Sequence, residues 1–160
     1  MQKPIEMLAE IANNEFKGPS LHGKALLPCL ESLPLATVTS TDTYEKYSVW
    51  GIALHALFEK HATIKLLGGK VALDPFPYEE ATWPKVPPKQ DEAAWKRLLD
   101  ELRVTHDAFV KALEAQGEAK WTQDLPQWKC TVGQVLQCLA THDLYHVAQI
   151  RNMGLKNLPK

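Results

Sequence analysis

Thr141-His142-Asp143-Leu144-Tyr145-His146-Val147-Ala148-Gln149-Ile150 places two histidines four residues apart in a segment that reads as helix. On a helix that spacing sets both side chains on one face, with Cβ atoms about 5–6 Å apart. Two imidazoles so placed can reach one metal ion. The bare spacing is a weak motif, and its register adds weight. Val132, Val135, Leu139, His142, His146, Gln149 and Met153 follow alternating three- and four-residue steps, the seam of a helix packed in a bundle. Both histidines stand where Leu or Val is usual, and a buried imidazole without a partner is costly. The pair is either hydrogen-bonded in the core or holds something.

Composition narrows the classes. The chain has 160 residues and a formal net charge of −1, so a single domain over residues 1–160 with a proper core is expected. No basic stripe is present, which disfavours nucleic acid as a partner. Cys29, Cys130 and Cys138 follow no CxxC spacing and no secretory signal is evident; a reducing cytoplasm is the expected setting. No apolar run approaches the roughly 20 residues needed to span a bilayer.

Working outward to the N-terminus, Pro4 opens a first helix with Ile5, Leu8, Ile11 and Ala12 as its stripe. Asn13-Asn14 and Gly18-Pro19 are expected to break it. His22 lies in the turn Ser20-Leu21-His22-Gly23, as a surface residue or at the rim of a site. Helical pattern resumes over residues 25–30, and residues 33–47 read as polar and turn-like. Ser48 can cap a second long helix. It opens with Val49-Trp50-Gly51-Ile52-Ala53-Leu54-His55-Ala56-Leu57-Phe58, apolar all round except His55 and therefore buried on every side. Glu59, one turn on, can fix the His55 tautomer or act as a base, or be solvated. His61, beside Lys60 and Lys65, reads as exposed.

Gly68-Gly69 ends this helix. Residues 70–90 carry five prolines with Phe76, Tyr78 and Trp83, a long connection expected to be irregular and to cover one end of the bundle. Asp91 can cap a third helix with the stripe Trp95, Leu98, Leu99, Leu102, His106, Phe109 and Leu113; His106 reads as a hydrogen-bonded core histidine. Gly117 ends it, and residues 118–130 form a polar connection. Thr131-Val132-Gly133-Gln134 is a capping box that opens the last helix, expected to end near Gly154. Strand signals are missing. Four helical segments with seam-like stripes argue an all-α, antiparallel four-helix bundle. Within it, His55 can complete a three-nitrogen site with His142 and His146. No H-E-x-x-H is present, so a zinc peptidase of that type is not expected.

Gly18-Pro19-Ser20-Leu21-His22-Gly23, Tyr47-Ser48-Val49-Trp50 leading to His55, Trp95, and His142 to Ile150 together resemble the DinB-like (DinB/YfiT-like) bundle proteins, over nearly the whole chain. The resemblance implies a four-helix bundle, commonly a homodimer, with one divalent metal held by three histidines that fall on His55, His142 and His146. Leu21 and Ala148 depart from the pattern, which often has Trp and Gly there. Some members use the metal to activate a low-molecular-weight thiol such as bacillithiol or mycothiol.

Three neutral imidazoles leave an ion its full charge, which lowers the pKa of a bound thiol or water. The expected function is therefore a metal-dependent thiol S-transferase acting on a small-molecule thiol and an electrophile. The alternatives are a non-catalytic metal- or small-molecule-binding stress-response protein and a metal-dependent hydrolase using Glu59 as base. Gln149 and Tyr145 are candidates to hydrogen-bond a ligand, and His22 to bind one at the rim. Zinc or nickel is the expected ion, with iron or manganese as other options.

Overall fold

Ser48, Asp91 and Thr131 each turn a side-chain oxygen onto the first turn of a long helix. Ser48 Oγ accepts from the Gly51 amide at 3.0 Å and Asp91 Oδ1 from that of Ala94 at 2.8 Å. Thr131 Oγ1 accepts from the Gln134 amide at 3.3 Å while Gln134 Oε1 accepts from the Thr131 amide at 2.8 Å, the expected capping box. Each such cap is worth about 1 kcal/mol. The computed structural model describes residues 3–43 and 45–153. Its helices are α1 (Pro4–Phe16), α2 (Leu26–Glu31), α3 (Leu35–Thr39), α4 (Val49–Leu66), α5 (Glu92–Glu114), α6 (Glu118–Trp121) and α7 (Val132–Arg151). The fold is all-α apart from a two-residue hairpin, β1 (Asp124–Leu125) with β2 (Cys130–Thr131).

Several local expectations are corrected. α1 runs through Asn13-Asn14 and stops only before Gly18, whose φ of +94° suits glycine. The 33–47 segment contains α3, which starts after Pro34 and buries Val38. The 118–130 connection is not plain coil: it holds α6, a 3-10 turn and the hairpin, closed by Lys129 in left-handed conformation. α7 is seen to Arg151; the expected end near Gly154 lies outside the described residues.

The four long helices touch in a ring, α1 with α5 and α7, and α4 with α5 and α7. Their directions follow from two apolar clusters. One takes Phe16, Trp50 to Leu57, Trp95 to Leu102, Val147 and Ile150. The other takes Ile5 to Ala12, Ile64, Phe109 to Leu113 and Val132 to Ala140. α1 and α7 therefore run one way, α4 and α5 the other. The Trp50–Trp95 ring pair near the helix starts and the Gln116 Nε2–Leu67 O bond at their ends agree. Antiparallel packing holds for α4 with α7 and α1 with α5, whereas the consecutive helices α4 and α5 are parallel. A parallel pair needs a connection that returns along the bundle, which accounts for the length of the 70–90 loop, irregular as expected.

That loop also reverses the reading of His61. The flanking lysines suggested exposure, but His61 is buried, with Phe76 of the loop 4.5 Å away. Lys60 is buried too. Its Nζ meets Asp143 Oδ1 at 2.5 Å, both side chains 2% exposed. With Glu15, Thr105 and His106, this pair makes a polar layer between the two apolar clusters. The buried face of α7 is Val132, Leu136, Leu139, Ala140, Asp143, His146, Val147 and Ile150. It is rotated by about one residue from the expected seam, so Asp143 rather than His142 faces inward.

His106 is the core histidine expected, fully buried, with its Nε2 3.1 Å from Asn13 Oδ1 and its ring stacked on Phe16. Burial, then the Lys60 and Lys17 charges, push its pKa down to about 2. The folded chain thus stays neutral there while the unfolded chain takes up a proton below about pH 6.5. Stability present above that pH is lost as pH falls, about 2 kcal/mol between pH 7 and pH 5 from this residue. Urea unfolding of wild type and His106→Gln at both pH values checks it: the variant should lose that share of the pH dependence.

Candidate metal centre

The rotation of α7 leaves His146 buried and His142 half-buried on the side facing α4. α4 supplies His55, 6% exposed, from its apolar run. Where α4 packs against α7, His55 meets both His142 and His146. His142 Nε2 lies 3.3 Å from His55 Nε2 and 3.2 Å from His146 Nε2. Two nitrogens bound to one ion at about 2.0–2.1 Å with tetrahedral angles are about 3.3 Å apart. Among the described residues, these three histidines are the set whose ligand atoms converge, all within 4.8 Å of one another.

Tautomers decide what the convergence means. His55 Nδ1 lies 2.5 Å from the Thr82 carbonyl oxygen. A carbonyl only accepts, so Nδ1 carries the proton and Nε2 a lone pair. His146 Nδ1 lies 3.0 Å from Gln149 Oε1, which again takes the proton on Nδ1. Two lone pairs therefore point at His142 Nε2. A single N–H on His142 can satisfy one of them, and His142 Nδ1 is itself buried without a hydrogen-bond partner among the described residues. A cation satisfies all three nitrogens at once, and outward N–H donation of this kind is how metal-ligating imidazoles are oriented. The donor set fits a divalent ion.

Electrostatics keeps the rings ligand-competent. Burial lowers the pKa of His55, against the pull of the Thr82 carbonyl. Burial and then the neighbouring His146 push His142 down to about 2. Burial lowers His146 to about 4, with the Gln149 bond opposing. All three are neutral at pH 7, the form a metal requires.

A family model described as the DinB superfamily matches residues 22–150. The chain belongs to the DinB superfamily. No curated protein and no solved structure matches it.

In this DinB-superfamily chain the other candidates fall outside the converging nitrogens. His22 is exposed in its turn, tied through its backbone amide to Ser20 Oγ. Glu59 Oε1 stands 3.8 Å from His55 Nδ1, the nitrogen turned away from His142. Burial raises its pKa, and a bond to the Thr82 side chain opposes this. Tyr145 is 60% exposed beside His146. Gln149 touches His146 itself.

Two participants had no readable signal, the Thr82 carbonyl and Glu45, while Trp83 belongs to the loop expected to cover one end of the bundle. The Thr82 carbonyl, Trp83 and Glu45 all come from connecting segments. Trp83 stacks on His55 at 4.1 Å and Tyr47 stacks on Trp83 at 4.0 Å, the ring planes nearly parallel in both cases. The proline-rich loop thus seals one face of His55. No helix of the described residues is long and apolar enough to cross a membrane.

Proposed function

We propose that this protein binds one divalent ion through His55, His142 and His146 and uses it in a thiol S-transfer reaction. The observation that carries the metal reading is the convergence of three Nε2 atoms, two of them with the proton held on Nδ1 by outside oxygens. Zinc or nickel is the ion we favour, with iron or manganese as other occupants of a nitrogen site. Three protein ligands leave a position open, the mark of a catalytic rather than a closed structural site. An ion held there supplies a lowered pKa to a thiol that reaches it.

The chain's own residues bind and orient. Thr82 and Gln149 fix ring orientation, and Trp83 covers His55 against solvent. In the transfer, the thiol loses its proton to water and its sulfur bonds to an electrophilic carbon. A leaving group carries away the displaced electron pair. We place this in a reducing cytoplasm, in keeping with Cys29, Cys130 and Cys138 all being free. We also favour a homodimer; light scattering at micromolar concentration should give twice the 18.0 kDa of one chain.

The activity is tested by supplying zinc- or nickel-loaded protein with a panel of low-molecular-weight thiols and electrophiles. Thiol-dependent thioether formation is expected, and none in His146→Ala. Fully loaded protein that turns over no pair would refute the S-transfer reading and leave binding without turnover, or metal-dependent hydrolysis, in its place.

A further inference from the structure

We propose that Glu45 is a positioning residue for the metal centre, an inference that rests on the three-histidine reading above. The His146 tautomer depends on which end of the Gln149 amide faces it. An amide can present either its oxygen or its NH2, and only the oxygen forces the ring proton onto Nδ1. Nothing in α7 makes that choice. Glu45 does: its Oε2 lies 2.5 Å from Gln149 Nε2. A carboxylate only accepts, so it holds the NH2 end and turns Oε1 toward His146 Nδ1 at 3.0 Å. The chain Glu45–Gln149–His146 therefore delivers the His146 Nε2 lone pair to the same point as those of its partners.

The backbone before α4 is shaped to hold Glu45 there. Thr43 Oγ1 donates to the Tyr47 carbonyl at 3.0 Å, and the Lys46 amide donates to the Thr43 carbonyl at 3.3 Å. Lys46 itself sits at φ +62°, a conformation uncommon for a residue with a side chain. The tight turn brings a residue 104 positions away onto α7. Thr82 does the equivalent for His55 with a fixed backbone carbonyl. At His146 the orienting amide can rotate, and so needs a second group to hold it.

The first readout is the ring-nitrogen NMR of the metal-free protein, which reports the tautomer without any ion. Wild type should show His146 protonated on Nδ1; Glu45→Ala should shift it toward the Nε2–H form, and Glu45→Gln, whose amide can either accept from or donate to Gln149, should shift it part of the way. The second readout is calorimetry with zinc alone. Glu45→Ala should weaken binding about 10–100-fold, as loss of an orienting partner does. Because Glu45 acts through Gln149, Gln149→Leu should be as weak as the double variant with Glu45→Ala. The exchange Glu45→Gln with Gln149→Glu keeps an acceptor at His146 and a donor behind it, and should restore affinity. An unchanged His146 tautomer in Glu45→Ala overturns the proposal, as does a Glu45→Ala effect that adds in full to that of Gln149→Leu. Wild type that binds no zinc would instead refute the metal reading, while the metal-free spectra still decide the role of Glu45.

Discussion

His55→Ala, His142→Ala and His146→Ala are each expected to weaken zinc binding by about two orders of magnitude. A zinc site built from side chains is worth roughly 10–16 kcal/mol, so one imidazole of a small set carries about 3 kcal/mol. His61→Ala should leave affinity unchanged, since its ring packs on Phe76 rather than on the triad. The same series has a thermal readout. Zinc at about 100 times its Kd should stabilise wild type by about 2.7 kcal/mol, which for a chain of this length is a rise of about 5–10 °C in Tm. The three variants should show almost none of that rise. Protons compete with the ion, so affinity should hold at neutral pH and fall in acid. The fall should come below the ordinary imidazole range, because burial holds His142 and His146 down at about 2 and about 4.

The largest effect on folding is expected at the Lys60–Asp143 pair. Burial pushes the Asp143 carboxyl up while the Lys60 ammonium pulls it down. The 2.5 Å contact marks a formed pair, and the Phe16 and Phe109 rings lie 5.3 and 5.9 Å from Lys60 Nζ. Removing one partner strands the other charge in the core, a loss of about 3–5 kcal/mol. Asp143→Ala should therefore unfold at far lower urea concentration than wild type. Lys60→Met combined with Asp143→Leu should recover much of the loss, because replacing a buried pair by apolar groups is often near neutral. Asp143 follows His142 directly on α7, so unfolding should be followed in metal-free protein.

What was readable in the sequence was what local chemistry controls. Ser48, Asp91 and Thr131 announce the starts of α4, α5 and α7 because a cap acts within one turn. His55 stands out because every neighbour is apolar, and His142 and His146 because four residues is one helical turn. Spacing alone puts the seam of α7 one residue out of phase with its buried face. Its polar faces carry both His142 and Asp143, and spacing alone does not say which turns inward; the partner Lys60 on α4 decides it. His61 differs from its expected exposure for the same reason, its cover arriving from Phe76 in a loop. The parallel run of α4 and α5 was hidden because the apolar stripes of two helices look alike in either direction. Thr82, Trp83 and Glu45 join the site through the path of connecting backbone, which periodicity does not encode.

X-ray absorption at the zinc edge, on protein passed through gel filtration after loading, reads directly whether one divalent ion sits on three imidazoles. One zinc per chain is expected, with three imidazole nitrogens at about 2.0–2.1 Å around it and a light atom completing the set. A set containing sulfur, or zinc retained in full by His55→Ala combined with His142→Ala and His146→Ala, would contradict the three-imidazole site.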